Sequence, residues 1–267
     1  MRIILNGRPE YTDLKTLFEL RDVRFSPDCI AILNGFQTND DMVIHDGDTI
    51  GIIKKGVMPP HEELESMMAA RHTPEVHERV KKARVAVCGL GGLGSNIAVM
   101  LARTGIGFLR LIDFDVVEPS NLNRQNYYVR HLGMFKTDAL YEQIREINPF
   151  IQAEGVNARI TRENLAELLN DCDYICEAFD NPEAKAMLAE TVLTELPDKK
   201  LVCGSGMAGF ESSNRIETVK ALRNLYICGD SESEARPGNG LMAPRVSVCA
   251  GHQANMIFRL IMGIEEP

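Results

Sequence analysis

Between the apolar run Arg84–Cys88 and the helix-compatible run Asn96–Arg103, the chain carries Gly89-Leu90-Gly91-Gly92-Leu93-Gly94-Ser95. This is the G-x-G-x-x-G pattern in the setting that gives it meaning, directly after a strand and at the opening of a helix. Glycine permits the tight turn and lets backbone N–H groups approach phosphate oxygens with no Cβ in between. The helix that follows aims its N-terminal donors and the positive end of its dipole at the same anion. A packing turn can carry the same glycines, so the loop alone is weak evidence. The next apolar run, Phe108–Asp113, adds to it by ending on Asp113, nineteen positions after Gly94. An acidic side chain there is placed to meet a ribose hydroxyl. Loop and acid together indicate a nucleotide site without separating NAD from ATP.

The rest of the chain is organised around this unit. Strand-like and helical stretches alternate after Arg84: apolar runs at Ile144–Ile147, Ala153–Ile160, Tyr174–Phe179 and Leu201–Cys203, helical ones at Glu163–Asn170 and Glu183–Leu196. Such alternation predicts a parallel sheet covered by helices. The first 57 residues follow a different rhythm: a strand Arg2–Asn6, a turn at Asn6-Gly7, and a helix Asp13–Leu20 with Thr12 as its cap. Strands Cys29–Leu33 and Thr49–Ile53 follow, with turns at Asn34-Gly35 and Asp46-Gly47-Asp48. This is a small α+β module. Met58-Pro59-Pro60 marks its end, because paired prolines block helix and central strand alike. Three segments result: a module at 1–57, a linker and helix at 58–83, and a nucleotide-binding domain at 84–267. His61-Glu62-Glu63 in the linker reads as a solvated helix face.

Composition narrows the function. With 267 residues, one domain plus a small module is an ordinary size. No apolar run approaches the roughly 18–20 residues of a membrane span, and Met1-Arg2-Ile3-Ile4-Leu5-Asn6-Gly7 meets charge and glycine too soon for a signal peptide. The seven scattered cysteines fit reduced thiols. The expectation is a cytoplasmic protein with no membrane contact. A net charge of −9 without a basic stripe sets nucleic acid aside as a partner.

After Asp113 comes Phe114-Asp115-Val116-Val117-Glu118-Pro119-Ser120-Asn121-Leu122-Asn123-Arg124-Gln125, and then Lys136. A dehydrogenase has no need for Arg and Lys at this sheet edge, whereas charge developing on a transferring phosphoryl or adenylyl group does. From about Arg71 onward the chain resembles the ThiF-type adenylyltransferases of the ubiquitin-activating-enzyme-like superfamily. The resemblance rests on the glycine loop at 89–95, Asp-Phe-Asp at 113–115, Asn-Leu-Asn-Arg-Gln at 121–125, Lys136, and Ala-Phe-Asp-Asn at 178–181.

That resemblance implies a Rossmann-like α/β fold and an ATP site. Gly89, Gly91, Gly92 and Gly94 would cradle the nucleotide and Asp113 would hold its ribose. Asn121 and Arg124 would contact phosphates, with Asp115 and Gln125 completing the binding set. Lys136 would neutralise departing pyrophosphate, and Asp180 would hold Mg²⁺. The same likeness implies a homodimer in which Arg71 reaches the neighbouring site, a loose match. The module, through Leu-Asn-Gly at 5–7, Ile-Leu-Asn-Gly at 32–35 and Asp-Gly-Asp at 46–48, resembles a ThiS-like β-grasp sulfur carrier. Unlike a working carrier it has no terminal Gly-Gly, running on through Lys54-Lys55-Gly56-Val57-Met58.

The implied reaction is adenylation of the C-terminal glycine carboxylate of a separate, Gly-Gly-ended ThiS-like carrier in thiamine (thiazole) biosynthesis. Adenylation of another carrier or a small-molecule carboxylate is the alternative, and an NAD-dependent oxidoreductase a more distant one. Many relatives carry paired C-x-x-C motifs for zinc. This chain has none, so no zinc is expected. Cys228, ahead of a Gly/Ser/Glu-rich loop, is the best-placed thiol for a covalent step, with a small apolar strand residue as an equal reading. Cys88 and Cys203 read as core positions.

Overall fold

A computed structural model describes residues 1–267, the side chain of Pro74 excepted. Strands β1 (Arg2–Leu5) and β2 (Arg8–Tyr11) form a hairpin about Asn6 and Gly7. Both turn residues sit at positive φ, 48° and 82°, as a two-residue turn matched to the strand twist requires. Helix α1 (Leu17–Arg24) follows, then β3 (Ile30–Leu33), β4 (Phe36–Gln37) and β5 (Thr49–Ile53). The sheet order is β2-β1-β5-β3-β4, with β1 and β5 parallel at its centre. Alternation along the strands sends Ile3, Leu5, Ala31, Ile50 and Ile52 inward against Leu17 and Leu20 of α1.

The helix begins four residues later than Asp13. Thr16, not Thr12, is its N-cap: the Thr16 hydroxyl accepts the Glu19 N–H, and the Glu19 carboxylate accepts the Lys15 N–H at 2.8 Å. The Thr-x-x-Glu spacing that makes this exchange possible exists at Thr16 and is missing at Thr12. Thr12 instead closes a local turn by accepting the Leu14 N–H.

Two further helices, α2 (His61–Ala69) and α3 (Pro74–Lys82), lead toward the second unit. The chain divides after Glu78 into compact units Met1–Glu78 and Arg79–Pro267.

In the second unit, β6 (Arg84–Cys88), α4 (Gly92–Thr104), β7 (Phe108–Asp113), α5 (Lys136–Ile147) and β8 (Gln152–Asn157) come first. They are followed by α6 (Arg162–Leu169), β9 (Tyr174–Glu177), α7 (Pro182–Glu195) and β10 (Lys200–Gly204). A hairpin of β11 (Glu217–Leu222) and β12 (Leu225–Gly229) precedes the last helix, α8 (Ala243–Ile261). The seven strands lie in the order β11-β12-β10-β9-β6-β7-β8, all parallel except β11. Val85, Ala86, Val87 and Cys88 are each fully buried, as a central strand covered on both faces must be. This is the Rossmann-like sheet expected from the sequence.

Two stretches differ from expectation. Ile144–Ile147 is not a separate apolar run but the last turn of α5, because Leu140, Ile144 and Ile147 recur at helical spacing. The strand expected over Ala153–Ile160 ends at Asn157, on the sheet edge beside β7 alone. Helix α8 follows the same periodic rule, with Val246, Cys249, Ala250, Gln253, Ala254, Ile257 and Leu260 buried.

Candidate functional site

Successive crossovers carry the chain from β6 outward to β7 and β8 on one side, and from β9 to β10 and β12 on the other. The strand order therefore reverses between β6 and β9, and the crevice beyond the carboxyl ends of these two strands is where open α/β sheets bind ligands. The glycine loop leaves β6 at this point, and Ala178–Asp180 leave β9 beside it.

Each glycine has a steric reason. Gly89 sits at φ +88°, and a Cβ there would lie 2.9 Å from the Ala178 carbonyl oxygen. Gly91 is the N-cap of α4 and supplies no side-chain cap, so the first-turn donors of a thirteen-residue helix face the crevice. A Cβ on Gly92 would come 3.6 Å from Cγ of Arg124, and one on Gly94 would sit 1.8 Å from the Gly89 carbonyl oxygen. For Gly94 the magnitudes decide the sign. Alanine gains about 1 kcal/mol in helix propensity, but the collision is with backbone and cannot be relieved by a rotamer. Gly94→Ala is expected to destabilise the fold by about 2–3 kcal/mol net, read as a shift in the urea midpoint.

Asp113 is buried, and both its oxygens hold backbone: Oδ2 accepts the Leu90 N–H at 2.6 Å and Oδ1 the Asp115 N–H at 2.8 Å. It fixes the glycine loop to the end of β7. Lys136 opens α5, and its ammonium is buried 2.9 Å from Oδ2 of Asp115 and 4.0 Å from Oδ2 of Asp113. Removing an ammonium from water is tolerated only with such partners. The carboxylate of Asp115 remains half exposed. Tyr127, which the sequence did not single out, donates its hydroxyl to the Leu90 carbonyl at 2.8 Å. Burial, with Asp113 and Asp115 nearby, pushes its phenol well above the ordinary value, so it stays a donor.

The Asn121–Gln125 segment is a tight turn laid over α4. Asn121 accepts the Glu118 N–H through Oδ1, and its carbonyl accepts the N–H groups of Arg124 and Gln125. Asn96 donates to the carbonyls of Gly92 and Arg124, while Ser95 donates to the Gly91 carbonyl and accepts the Asn126 N–H. The half-buried Arg124 donates through Nη1 to the Ser120 carbonyl and to Asn123. Its Nε and the Oε1 of Gln125 are buried with no partner among the described residues. Each such atom costs about 1–3 kcal/mol, and both belong to side chains that flank Gly91 and Gly92.

Asp180 is exposed, three residues past the end of β9, and is followed by Asn181, which caps α7 by accepting the Ala184 N–H. The structure thus gathers Gly89–Gly94, Asp113, Asp115, Asn121, Arg124, Gln125, Lys136 and Asp180 along one edge of one sheet. Cys228 does not join them, and the role implied for Arg71 lies at a neighbouring site. Arg71 belongs to the first unit, where it donates to Gln37 at 2.5 Å. Cys228 is fully buried in β12 beside the Thr218 hydroxyl, and burial pushes its thiol up to about 11. Of the two readings of Cys228, a thiol for a covalent step and a small apolar strand residue, this burial favours the second.

The loops after β10 and β12 are tied by a pair that sequence reasoning did not find. Arg245, at the start of α8, donates to Asp230 and to the Ala208 carbonyl at 2.5 Å each, and to Ser233 at 3.0 Å. Both side chains of the pair are 3% exposed or less.

Residues 64–267 match the ThiF family, and residues 1–56 match the ThiS-like ubiquitin family. The chain is 36% identical over 130 residues to the adenylyltransferase and sulfurtransferase uba4 of Aspergillus clavatus, covering 48% of this chain and 26% of that protein. It is 38% identical over 112 residues to the molybdopterin-synthase adenylyltransferase of Haemophilus influenzae, covering 42% and 46%. To the tRNA threonylcarbamoyladenosine dehydratase of the same bacterium it is 34% identical over 141 residues, covering 52% and 54%. It spans between a quarter and just over half of the length of these relatives. Among solved structures, the ATP complex of the Escherichia coli tRNA N6-threonylcarbamoyladenosine dehydratase shares its fold. The TM-score is 0.68 at 24% identity, over 78% of this chain and 97% of that one.

Proposed function

The chain belongs to the ThiF family, and from that premise we propose that it is an adenylyltransferase that activates the C-terminal glycine carboxylate of a Gly-Gly-ended, ThiS-like sulfur carrier. The observation that carries this reading is the pairing of Arg124 and Gln125 with the glycine loop: two buried, unpartnered polar atoms on side chains that flank Gly91 and Gly92. The Arg124 Nε–H is a donor that a nucleotide phosphate on the loop would complete, whereas Gln125 Oε1 is an acceptor and awaits a donor instead. The ThiS-like likeness of residues 1–56 supports a ubiquitin-like partner, and thiazole formation in thiamine biosynthesis is the finer reading of its destination.

In this mechanism the substrate carboxylate attacks the α-phosphorus of ATP. An oxygen–phosphorus bond forms, the bond to pyrophosphate breaks, and no proton need move. The protein's task is then positioning and charge. Backbone N–H groups of the glycine loop and the opening turn of α4 receive phosphate oxygens. Arg124 brings its guanidinium in from the 121–125 turn. Lys136 waits with its ammonium on Asp115, a half-exposed carboxylate from which incoming phosphate draws it.

Asp180 is the residue that would hold Mg²⁺, and the donor set fits. Among the described residues no group of three or more His, Cys, Asp or Glu forms a cage. Mg²⁺ bound with nucleotide needs only one or two carboxylates beside phosphates and water. When bound, the cation supplies positive charge to the phosphate oxygens as pyrophosphate leaves.

The test is ATP–pyrophosphate exchange with the full chain against a panel of Gly-Gly-ended carriers, with a small-molecule carboxylate and tRNA as further arms. The reading expects exchange that depends on a carrier. Exchange supported by tRNA or a small acid alone would move the reading to another acceptor, and NAD-dependent hydride transfer would replace it.

A further inference from the structure

Asp180 makes no hydrogen bond through its side chain among the described contacts, and its position is set entirely by its backbone. That backbone is held with unusual completeness. Glu177, the last residue of β9, is fully buried in the middle of the sheet. Its Oε1 accepts the Phe179 N–H at 2.6 Å and the Lys185 ammonium at 2.8 Å. The same ammonium donates to the Phe179 carbonyl at 2.9 Å. Both polar groups of Phe179 are therefore taken up by one ion pair, and the carbonyl is that of the peptide bond leading into Asp180.

The neighbours close the remaining freedom. The Ala178 N–H donates to the Cys88 carbonyl at 2.9 Å, and the missing Cβ of Gly89 leaves room for the Ala178 carbonyl and the Phe179 ring. Beyond Asp180, Asn181 caps α7. Beneath, Gln253 of α8 donates to the Glu177 carbonyl at 3.0 Å.

A buried ion pair is a poor device for stability, since apolar side chains of the same volume often serve at least as well. Here Oε2 of Glu177 is buried with no hydrogen-bond partner beyond the weak neighbouring Cys203 thiol, and burial pushes the Glu177 carboxyl above its ordinary value. The arrangement makes sense as geometry. We propose that Glu177 and Lys185 are positioning residues for Asp180, clamping the Phe179 backbone so that the Asp180 carboxylate is held ready for a divalent cation bound with nucleotide. This rests on the assignment of Asp180 as the cation ligand.

The test measures cation binding directly. Mn²⁺ is titrated into the full chain with ATP present and followed by electron paramagnetic resonance, while ATP affinity alone is measured in a chelator. Lys185→Met leaves Glu177 buried without its cation and risks unfolding. The double variant Glu177→Gln with Lys185→Met is the main probe, because it removes both charges and keeps an acceptor for the Phe179 N–H. It is expected to weaken Mn²⁺ binding about tenfold or more with ATP affinity in chelator unchanged. Lys185→Arg, which keeps the charge and the donors, is expected to retain most of the wild-type Mn²⁺ binding. Asp180→Asn separates the two layers. If it leaves Mn²⁺ binding unchanged, the assignment of Asp180 falls and the proposal with it. If Asp180→Asn weakens Mn²⁺ binding but the double variant stays within about twofold of wild type, the positioning role alone is overturned.

Discussion

Arg124→Ala is expected to lower carrier-dependent ATP–pyrophosphate exchange by about 10²–10³-fold, the range for loss of one preorganised charge at a reacting centre. The fold should hardly notice. Arg124 spends its two hydrogen bonds on the Ser120 carbonyl and Asn123, at a half-exposed position, contacts worth about 1 kcal/mol each at most. Its Nε already lacks a partner, so truncation removes a buried donor that was costing stability. Activity and stability should therefore separate, with exchange collapsing while the urea midpoint moves by no more than about 1 kcal/mol in equivalent. Asp180→Ala should behave in the same way, since the exposed carboxylate supports nothing else in the fold. Exchange near the wild-type rate in both variants would remove these residues from the chemistry.

Arg245→Ala is expected to do the reverse, costing about 3–5 kcal/mol of stability by leaving Asp230 buried without its cation. Burial works against ionisation of Asp230. Hydrogen bonds from Ser233 and Arg245, joined by the Glu232 and Ser233 amides, nonetheless hold its carboxyl well below the ordinary value. A carboxyl depressed in the folded state contributes stability that is complete above the unfolded value of about 3.9. That contribution is lost as pH falls toward the folded value. Wild type should therefore weaken steeply in acid, and Arg245→Ala should show a shallower decline from a lower start. Denaturant titrations at pH 7 and pH 3 read both effects. The consequence for the site is local, because this pair ties Ala208 and Ser233 together across the loops that follow β10 and β12.

The strand, glycine loop and helix at Arg84–Thr104 were legible because every constraint there is local: apolar run, glycine spacing and helix opening fall within about twenty residues. The fold class followed from the alternation around that unit. Helix α1 is capped at Thr16 and not Thr12 because the cap draws on one glutamate three residues along, whose carboxylate takes the Lys15 N–H, a detail that a hydrophobic pattern does not weigh. The run at Ile144–Ile147 was misassigned since four residues cannot separate a strand from the end of a helix.

Contacts between distant parts of the chain were not legible at all. Nothing near Tyr127 announces the Leu90 carbonyl, and nothing near Arg245 announces Ala208, Asp230 and Ser233. Glu177 and Lys185 looked like an ordinary acidic and an ordinary basic residue until the sheet put one at its centre. Cys228 drew attention through the loop that follows it, whereas its burial is decided by Thr218 and α8 from either side. Arg71 had a chemical role only through likeness, and in the structure its guanidinium is engaged by Gln37.

The most direct measurement is mass spectrometry of a Gly-Gly-ended ThiS-like carrier after incubation with the full chain and Mg²⁺-ATP, run beside the same carrier with its C-terminus amidated. Adenylate on the intact carrier and none on the amidated one is the predicted result. Equal modification of both, or none on either while ATP is consumed, would contradict adenylation of a carrier carboxylate.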